Sequence, residues 1–429
     1  MKRAGMLALA VVLASGSAWS QAVNPQTSKT VSVRCGMLFD GKSEQLRRDV
    51  VIVVTEGKIT AVGGPSAGNE IDLSKQTCLP GLIDTHTHVL LQGDITAEDY
   101  DKQLLKESTP YRTILATRNA RQALEYGFTG LRDVETEGAG YADVDVRNAI
   151  NAGVIPGPRM QVATRALDVT GAYPLLGYSW ELTVPHGVQF CDGPDDCRKA
   201  VREQISHGAD WIKVYSDRSY RIMPNGVLDD VPTFTVEELR AIVDEAHRQR
   251  KRVASHAIGI NGVGNSIEAG VDSIEHGDYI TDQQLAAMKQ RGIWFVPTLF
   301  VGEYVAEGRA AAGAKVWVDM VKISQDTFRR ALKAGVKIAY GTDAGGFPWD
   351  INLAVQFKRM VELGMTPAQA IRSATMDAAE LMHQQDQVGS IEPGKMADII
   401  AVPGDPLKDV SLLEHVDFVM KGGVVQRKP

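Results

Sequence analysis

Two histidines set one residue apart, His86 and His88, close a short apolar run, GLIDTHTHV at 81–89. In an extended segment, side chains two apart point to the same side. Two imidazoles on one side suit Zn²⁺, Mn²⁺ or Co²⁺. His256 and His276 end two later runs, so four of the chain's nine histidines stand at such ends. One alone could be a hydrogen-bonded core histidine; four at equivalent places favour a shared site. Lys213 lies in a further run, WIKVYS at 211–216. An ammonium beside divalent ions would be repelled, whereas the neutral amine can react with CO₂. The carbamate so formed is an anion whose two oxygens could bridge two ions. A lysine facing solvent or pairing with an acid is the competing reading. Asp343, in VKIAYGTDA at 336–344, could ligate metal and also take a proton from a water whose pKa a metal lowers. Its alternative is a structural aspartate capping the turn before Gly345-Gly346.

These residues act together only if the elements that carry them converge. Eight strand-like runs can be counted, at 81–89, 128–134, 159–164, 211–216, 252–257, 272–276, 293–297 and 336–344. Helical stretches such as TVEELRAIVDEAHRQRK and QDTFRRALKAG separate them, commonly with glycine just past the end. The alternation predicts an α/β fold, a closed (β/α)₈ TIM-type barrel, whose catalytic face lies at the C-terminal ends of its strands. The four histidines, Lys213 and Asp343 would share that rim. The flanking segments read as short strands punctuated by glycine. They predict a small β-sandwich domain built from both chain ends. The expected division is a signal peptide at 1–20, half of the sandwich at 21–80, the barrel at 81–388 and the second half of the sandwich at 389–429. Stretches 165–192 and 298–318 are loop-rich and could lie over the barrel mouth.

Composition bounds the function classes. A chain of 429 residues with 44% hydrophobic and 23% charged residues is neither a disordered tail, a collagen-like fibre nor a small disulfide scaffold. Lys+Arg 46 against Asp+Glu 53 gives a net charge of −7, so no basic face for nucleic acid is expected. Lys2 and Arg3 precede an uncharged run from Ala4 to Ala14, then small residues, the layout of a secretory signal. That run is too short for a comfortable membrane span, so no stable membrane insertion is expected. Cleavage after Ser20 or Ala22 would leave 44 − 53 = −9. A periplasmic or secreted location makes the four cysteines disulfide candidates. Cys191 and Cys197 enclose the turn-rich CDGPDDC; Cys35 and Cys78 can pair only if their strands are neighbours.

Candidates for substrate contact follow the same logic of position. Tyr215, Arg218, Tyr220 and Arg221 lie just beyond Lys213. Arginine can bind a carboxylate through two hydrogen bonds. Solvated loop charges are the alternative for both arginines. His186, in VPHGV, could line a pocket or lie on the surface. Phe347 and Trp349, after Asp343, could form an apolar wall for an aromatic group or pack the barrel lid.

Taken together, PGLIDTHTH (80–88), the Lys213 run, IEHGD (274–278), GTDAG (341–345) and GSIEPGKMADIIAV (389–402) resemble the metal-dependent amidohydrolase superfamily over essentially the whole mature chain. KVYSD, then PTFTVEEL and SHA, is similar to its imidazolonepropionase- and Xaa-Pro-dipeptidase-like branch. Within that branch the chain most resembles exported bacterial amidohydrolases that hydrolyse ochratoxin A to phenylalanine and ochratoxin α. The resemblance implies two divalent metal ions, Zn²⁺ foremost. His86, His88 and Asp343 would hold one and His256 and His276 the other, with a carboxylated Lys213 as bridge. It implies a homo-oligomer acting on a small-molecule amide or dipeptide. Xaa-Pro dipeptides and cyclic amides or lactones are alternative substrates, and a non-catalytic solute-binding protein is the reading from another class. Two departures touch the substrate. Relatives often carry Gly-Gly-His after the third run, where this chain has Thr170-Gly171-Ala172-Tyr173, so Tyr173 or His186 would stand in. They also often carry an aromatic soon after the Tyr-x-Asp of the Lys213 run, where this chain has Arg218-Ser219-Tyr220-Arg221.

Overall fold

The structure is a computed structural model that describes residues 30–173, 178–179 and 181–428. The expected signal peptide at 1–20 lies outside the described residues.

Both chain ends contribute to one sheet. It contains β1 (Thr30–Leu38), β2 (Arg47–Thr55), β3 (Lys58–Val62), β4 (Asn69–Pro80) and three strands from the other end of the chain. β4 pairs antiparallel with Ile399–Pro403, which pairs with Phe418–Lys421 and then Val424–Arg427. These are seven strands of a single sheet, where two stacked sheets of a sandwich were expected. The physical reason lies in β4. It pairs parallel with β1 on one side and leaves its other edge open, so the C-terminal strands extend the sheet. Val33, Ile52, Leu73, Ile399 and Phe418 are buried in its own apolar core. Cys35 and Cys78 lie on the neighbouring β1 and β4 and are disulfide-bonded, with Cα atoms 5.8 Å apart. Cys191 and Cys197 are bonded too, with Cα atoms 4.9 Å apart.

After Gly81 the chain enters a TIM-barrel-like ring of parallel strands. One arc is β5 (Leu82–Thr87), β6 (Phe128–Asp133) and β7 (Arg159–Val162). The other holds β8 (Leu167–Asp168), β9 (Gln189–Phe190), β10 (Trp211–Tyr215) and the strands Arg252–Ala257, Ser273–His276 and Trp294–Val296. In that arc Trp211–Tyr215 pairs with Arg252–Ala257, which pairs with Ser273–His276 and then Trp294–Val296. These strands are buried along nearly their whole length, which explains their continuous apolar runs.

The ladders do not run unbroken around the ring, as a closed barrel would require. The eighth run, 336–344, is held between the arcs by isolated bridges, Phe295 to Ile338 and Thr87 to Ala344. Thr85 N–H also donates to Tyr340 O at 2.9 Å, and Asp343 N–H to His86 O at 2.8 Å. The run stops as strand at its end, where Asp343 (φ 63°) and Gly345 (φ 110°) adopt left-handed backbone. A side chain on Gly345 would also collide with the backbone and Cβ of His88. The stretch expected as loop at 298–318 is instead mostly helical, covered by Leu299–Ala311 and the start of Val316–Ala334. Its alanines and glycines disguised a helix packed over the mouth of the ring. Among the described residues no helix is long and apolar enough to cross a membrane.

Candidate active site

The strand pleat places the histidines. His86 lies in β5 and His88 just past its end; their ring centroids are 5.3 Å apart. His276 ends Ser273–His276 with its ring 4.9 Å from His86 and 4.6 Å from His256. Tyr215 sits opposite His256 in the strand register, with their rings 4.7 Å apart. Asp343 Oδ1 lies 3.1 Å from His88 Nε2 and 3.7 Å from His86 Nε2. Lys213, His88, His256, His276 and Asp343 line one cavity, and His86 lies buried beneath it. The structure thus gathers all six residues singled out from the sequence. His276 (φ 71°) and Asp343 (φ 63°) both hold left-handed backbone, strain of about 1–3 kcal/mol each that commonly marks functional positions.

Burial sets the electrostatics. It holds His86 and His256 well below the ordinary imidazole range, with Lys213 and neighbouring histidines adding to the effect. It takes His276 down to about 4, against the pull of Asp343. Burial also opposes charge on His88, yet the hydrogen bond and charge of Asp343, helped by Glu137, carry it up to about 9. The Asp343 carboxyl would rise on burial alone; the hydrogen bond from His88 and the surrounding imidazoles keep it below its ordinary value. Burial lowers the Lys213 amine. Among the described residues its Nζ forms no hydrogen bond or ion pair, and it lies 5.4 Å from the centroid of the Tyr215 ring.

The donor set fits divalent metal. His86 Nε2 is buried with no hydrogen-bond partner, which leaves a lone pair facing Asp343. Ligand atoms of His86, His276 and Asp343 lie within 4.8 Å of one another, and so do those of His88, Glu135 and Glu137. Neutral imidazoles with a carboxylate are a usual set for Zn²⁺ or a similar ion. His256 is the qualified member: its Nε2 meets the Tyr220 hydroxyl at 2.8 Å. That hydroxyl also lies 3.0 Å from Asp217 Oδ1, so it has a second acceptor if His256 ligates.

The loop candidates scatter. The Arg218 guanidinium lies over the rings of Tyr173 and Tyr215, at 4.3 and 4.0 Å, and lines the cavity. Its Nε and Nη2 are buried without hydrogen-bond partners, with Asp168 the nearest acid at 3.7 Å. Tyr173 and Tyr220 also line the cavity, but Tyr215 spends its hydroxyl on Glu135 Oε2 at 2.5 Å. Arg221 points away: its side chain is 71% exposed and pairs with Asp229. His186 is exposed, its ring 4.7 Å from Phe190. Trp349 and Phe347 are buried in the core and do not wall the cavity; Trp349 donates to Leu91 O at 3.1 Å. The apolar wall comes instead from Leu299, Val301, Val305 and Trp317 on the covering helices.

Sequence reasoning missed Glu135, Glu137, Glu275 and Arg132. Glu135 and Glu137 are two apart just past β6, as His86 and His88 are two apart at the end of β5. That repeated spacing was the available signal. Burial, then the nearby Glu137, pushes the Glu135 carboxyl well up. Glu137 accepts from the hydroxyls of Tyr100 and Tyr173 at 3.0 and 3.1 Å.

Residues 77–426 match the Amidohydrolase family, and the chain belongs to that family. It is 31% identical to an ochratoxinase of Aspergillus niger over 94% of this chain and 88% of that protein. The crystal structure of A. niger ochratoxinase superposes with a TM-score of 0.78 at 28% identity, covering 94% of this chain and 96% of that one. A Xaa-Pro dipeptidase with methionine bound in its active site superposes with a TM-score of 0.84 at 36% identity, covering 93% and 100%. An imidazolonepropionase of Fusobacterium nucleatum is 25% identical over 89% of this chain and 92% of that protein. The protein is therefore an enzyme acting on amide bonds.

Proposed function

We propose that the protein is an exported binuclear metal amidohydrolase that cleaves the amide bond to a C-terminal amino acid bearing a free carboxylate. Ochratoxin A, cleaved to ochratoxin α and phenylalanine, is the specific substrate proposed. The observation that carries the carboxylate requirement is Arg218, a cation on the cavity wall whose buried Nε and Nη2 have no hydrogen-bond partner, with Asp168 no nearer than 3.7 Å. Unpaired buried donors are costly, and a carboxylate is the ligand that matches them best.

His86, His88 and Asp343 would hold one ion, His256 and His276 the other, and a carboxylated Lys213 would bridge them. A buried amine without a hydrogen bond favours the neutral form that carboxylation needs. When bound, the ions would activate water and polarise the amide carbonyl. Asp343, ionised and within reach of His88, is placed to accept the proton of the attacking water. It would return that proton to the departing amine nitrogen. Arg218 would orient the substrate by its carboxylate, and the apolar wall of Leu299, Val301 and Trp317 would exclude water from the remainder.

A dipeptide substrate of the Xaa-Pro type is the second reading, favoured by the 36% identity to the Xaa-Pro dipeptidase. Both readings share the C-terminal carboxylate. Purified protein assayed on N-acyl amino acids, dipeptides and lactones, with and without chelator, separates them. Chelator-sensitive turnover of carboxylate-bearing amides is expected. Turnover confined to lactones or cyclic amides would overturn the proposal.

A further inference from the structure

Beneath the cavity, a buried chain of polar groups runs through the ring. His86 Nδ1 lies 2.7 Å from Glu275 Oε2, and both side chains are fully buried. The other oxygen, Glu275 Oε1, accepts from Arg132 Nη2 at 2.8 Å and from the Ser273 hydroxyl. Arg132 Nη1 donates to Ser273 Oγ at 3.1 Å, and Nε donates to the carbonyl of Thr85. The guanidinium lies 4.4 Å from the centroid of the Trp211 ring. Arg132 thus ties together the strands that carry His86, Lys213 and His276.

We propose that Glu275, held by Arg132, is the positioning residue that fixes the His86 imidazole with its Nε2 unengaged and facing Asp343. The proposal rests on the metal-centre reading, in which that nitrogen is a ligand. Glu275 Oε1 already accepts from Arg132 and Ser273, which aims Oε2 at His86 Nδ1 as the acceptor of its N–H and leaves Nε2 its lone pair. Nε2 is the atom found buried and unpartnered. Neither Glu275 nor Arg132 can turn aside without leaving a buried charge unpaired. Among these four histidines only His86 has a carboxylate within hydrogen-bond distance behind its ring; Glu137 lies 3.7 Å from His88 Nδ1. His88 Nδ1 meets a backbone carbonyl, that of Glu135, at 3.2 Å, and His276 Nδ1 meets the Thr298 hydroxyl at 2.8 Å. A carboxylate behind a ligating imidazole fixes its tautomer and raises its basicity.

Two measurements test this. In metal-stripped wild-type protein labelled at the imidazole nitrogens, NMR should show His86 protonated at Nδ1, with the signal assigned by its loss in His86→Asn. A His86 protonated at Nε2 would overturn the proposal. In Glu275→Gln, shown folded by circular dichroism, divalent-metal affinity by chelator competition should fall about 10–100-fold, with Glu275→Asp intermediate. A folded Glu275→Gln that retains wild-type affinity would make the Arg132–Glu275 pair a support of the ring alone and overturn the proposal. If Glu275→Gln does not fold, the wild-type tautomer still decides. Wild-type protein that takes up no divalent ion would instead defeat the metal-centre reading, a separate outcome from the wrong tautomer.

Discussion

His86 and His88 stand two apart at the end of a buried strand, and both face Asp343. Arg218 and Arg221 stand three apart in Asp217–Ile222, a strand of a two-stranded ribbon at the cavity edge; Arg218 lines the cavity and Arg221 faces solvent. The difference is one of constraint. The strand of His86 is clamped by β6 on one side and by single backbone hydrogen bonds to the 336–344 run on the other, so residues two apart are held towards one side although its register with β6 shifts. The ribbon has a partner on one side only; Arg218 and Arg221, an odd number apart, fall on its opposite sides, with a register shift between them. Chemistry that needs atoms fixed within a fraction of an ångström sits on the first kind of element. On the proposed function, selection among substrates would fall to the second.

Substitutions should separate the two regions by size of effect. Asp343→Asn keeps the side-chain shape but removes the base, and kcat should fall by about 10²–10⁴ with metal still bound. Near wild-type kcat in that variant would move the proton transfer to another group. Lys213→Ala should lose activity that short carboxylic acids partly restore; full activity without them would remove Lys213 from the site. Arg218→Met should cost about 1.5–3 kcal/mol in binding a carboxylate, roughly a tenfold to hundredfold loss in kcat/KM. The loss should vanish on substrates whose carboxylate is blocked. At the small end, Arg221→Ala removes only an exposed ion pair and should leave kcat/KM within about twofold. A large loss there would mean that the ribbon changes conformation when substrate binds.

The same contrast explains what could be read from the sequence. The histidines, Lys213 and Asp343 were legible because apolar runs announce buried strands and the residues closing those runs announce the rim. Glu135 and Glu137 were legible in principle, by the spacing that revealed His86 and His88. The covering helices were not, because the small residues of 298–318 suit loop and packed helix alike. The joining of the chain ends into one small β domain was legible from the strand texture at 31–78 and 389–429, but that it is a single sheet was not, because the pairing of β4 with Ile399–Pro403 decides it. Trp349 and Phe347 were misplaced as a cavity wall because proximity in sequence to Asp343 says nothing of direction once the backbone turns left-handed there.

The sharpest comparison is one substrate pair on one enzyme. An N-aroyl-phenylalanine and its C-terminal methyl ester should be followed by release of the aroyl acid, on wild-type protein and on Arg218→Met. The free acid should be cleaved roughly tenfold to a hundredfold faster in kcat/KM by the wild type, and Arg218→Met should erase that preference. Equal cleavage of both substrates by the wild type would contradict a carboxylate-reading Arg218 and favour a cyclic amide or ester as the natural substrate.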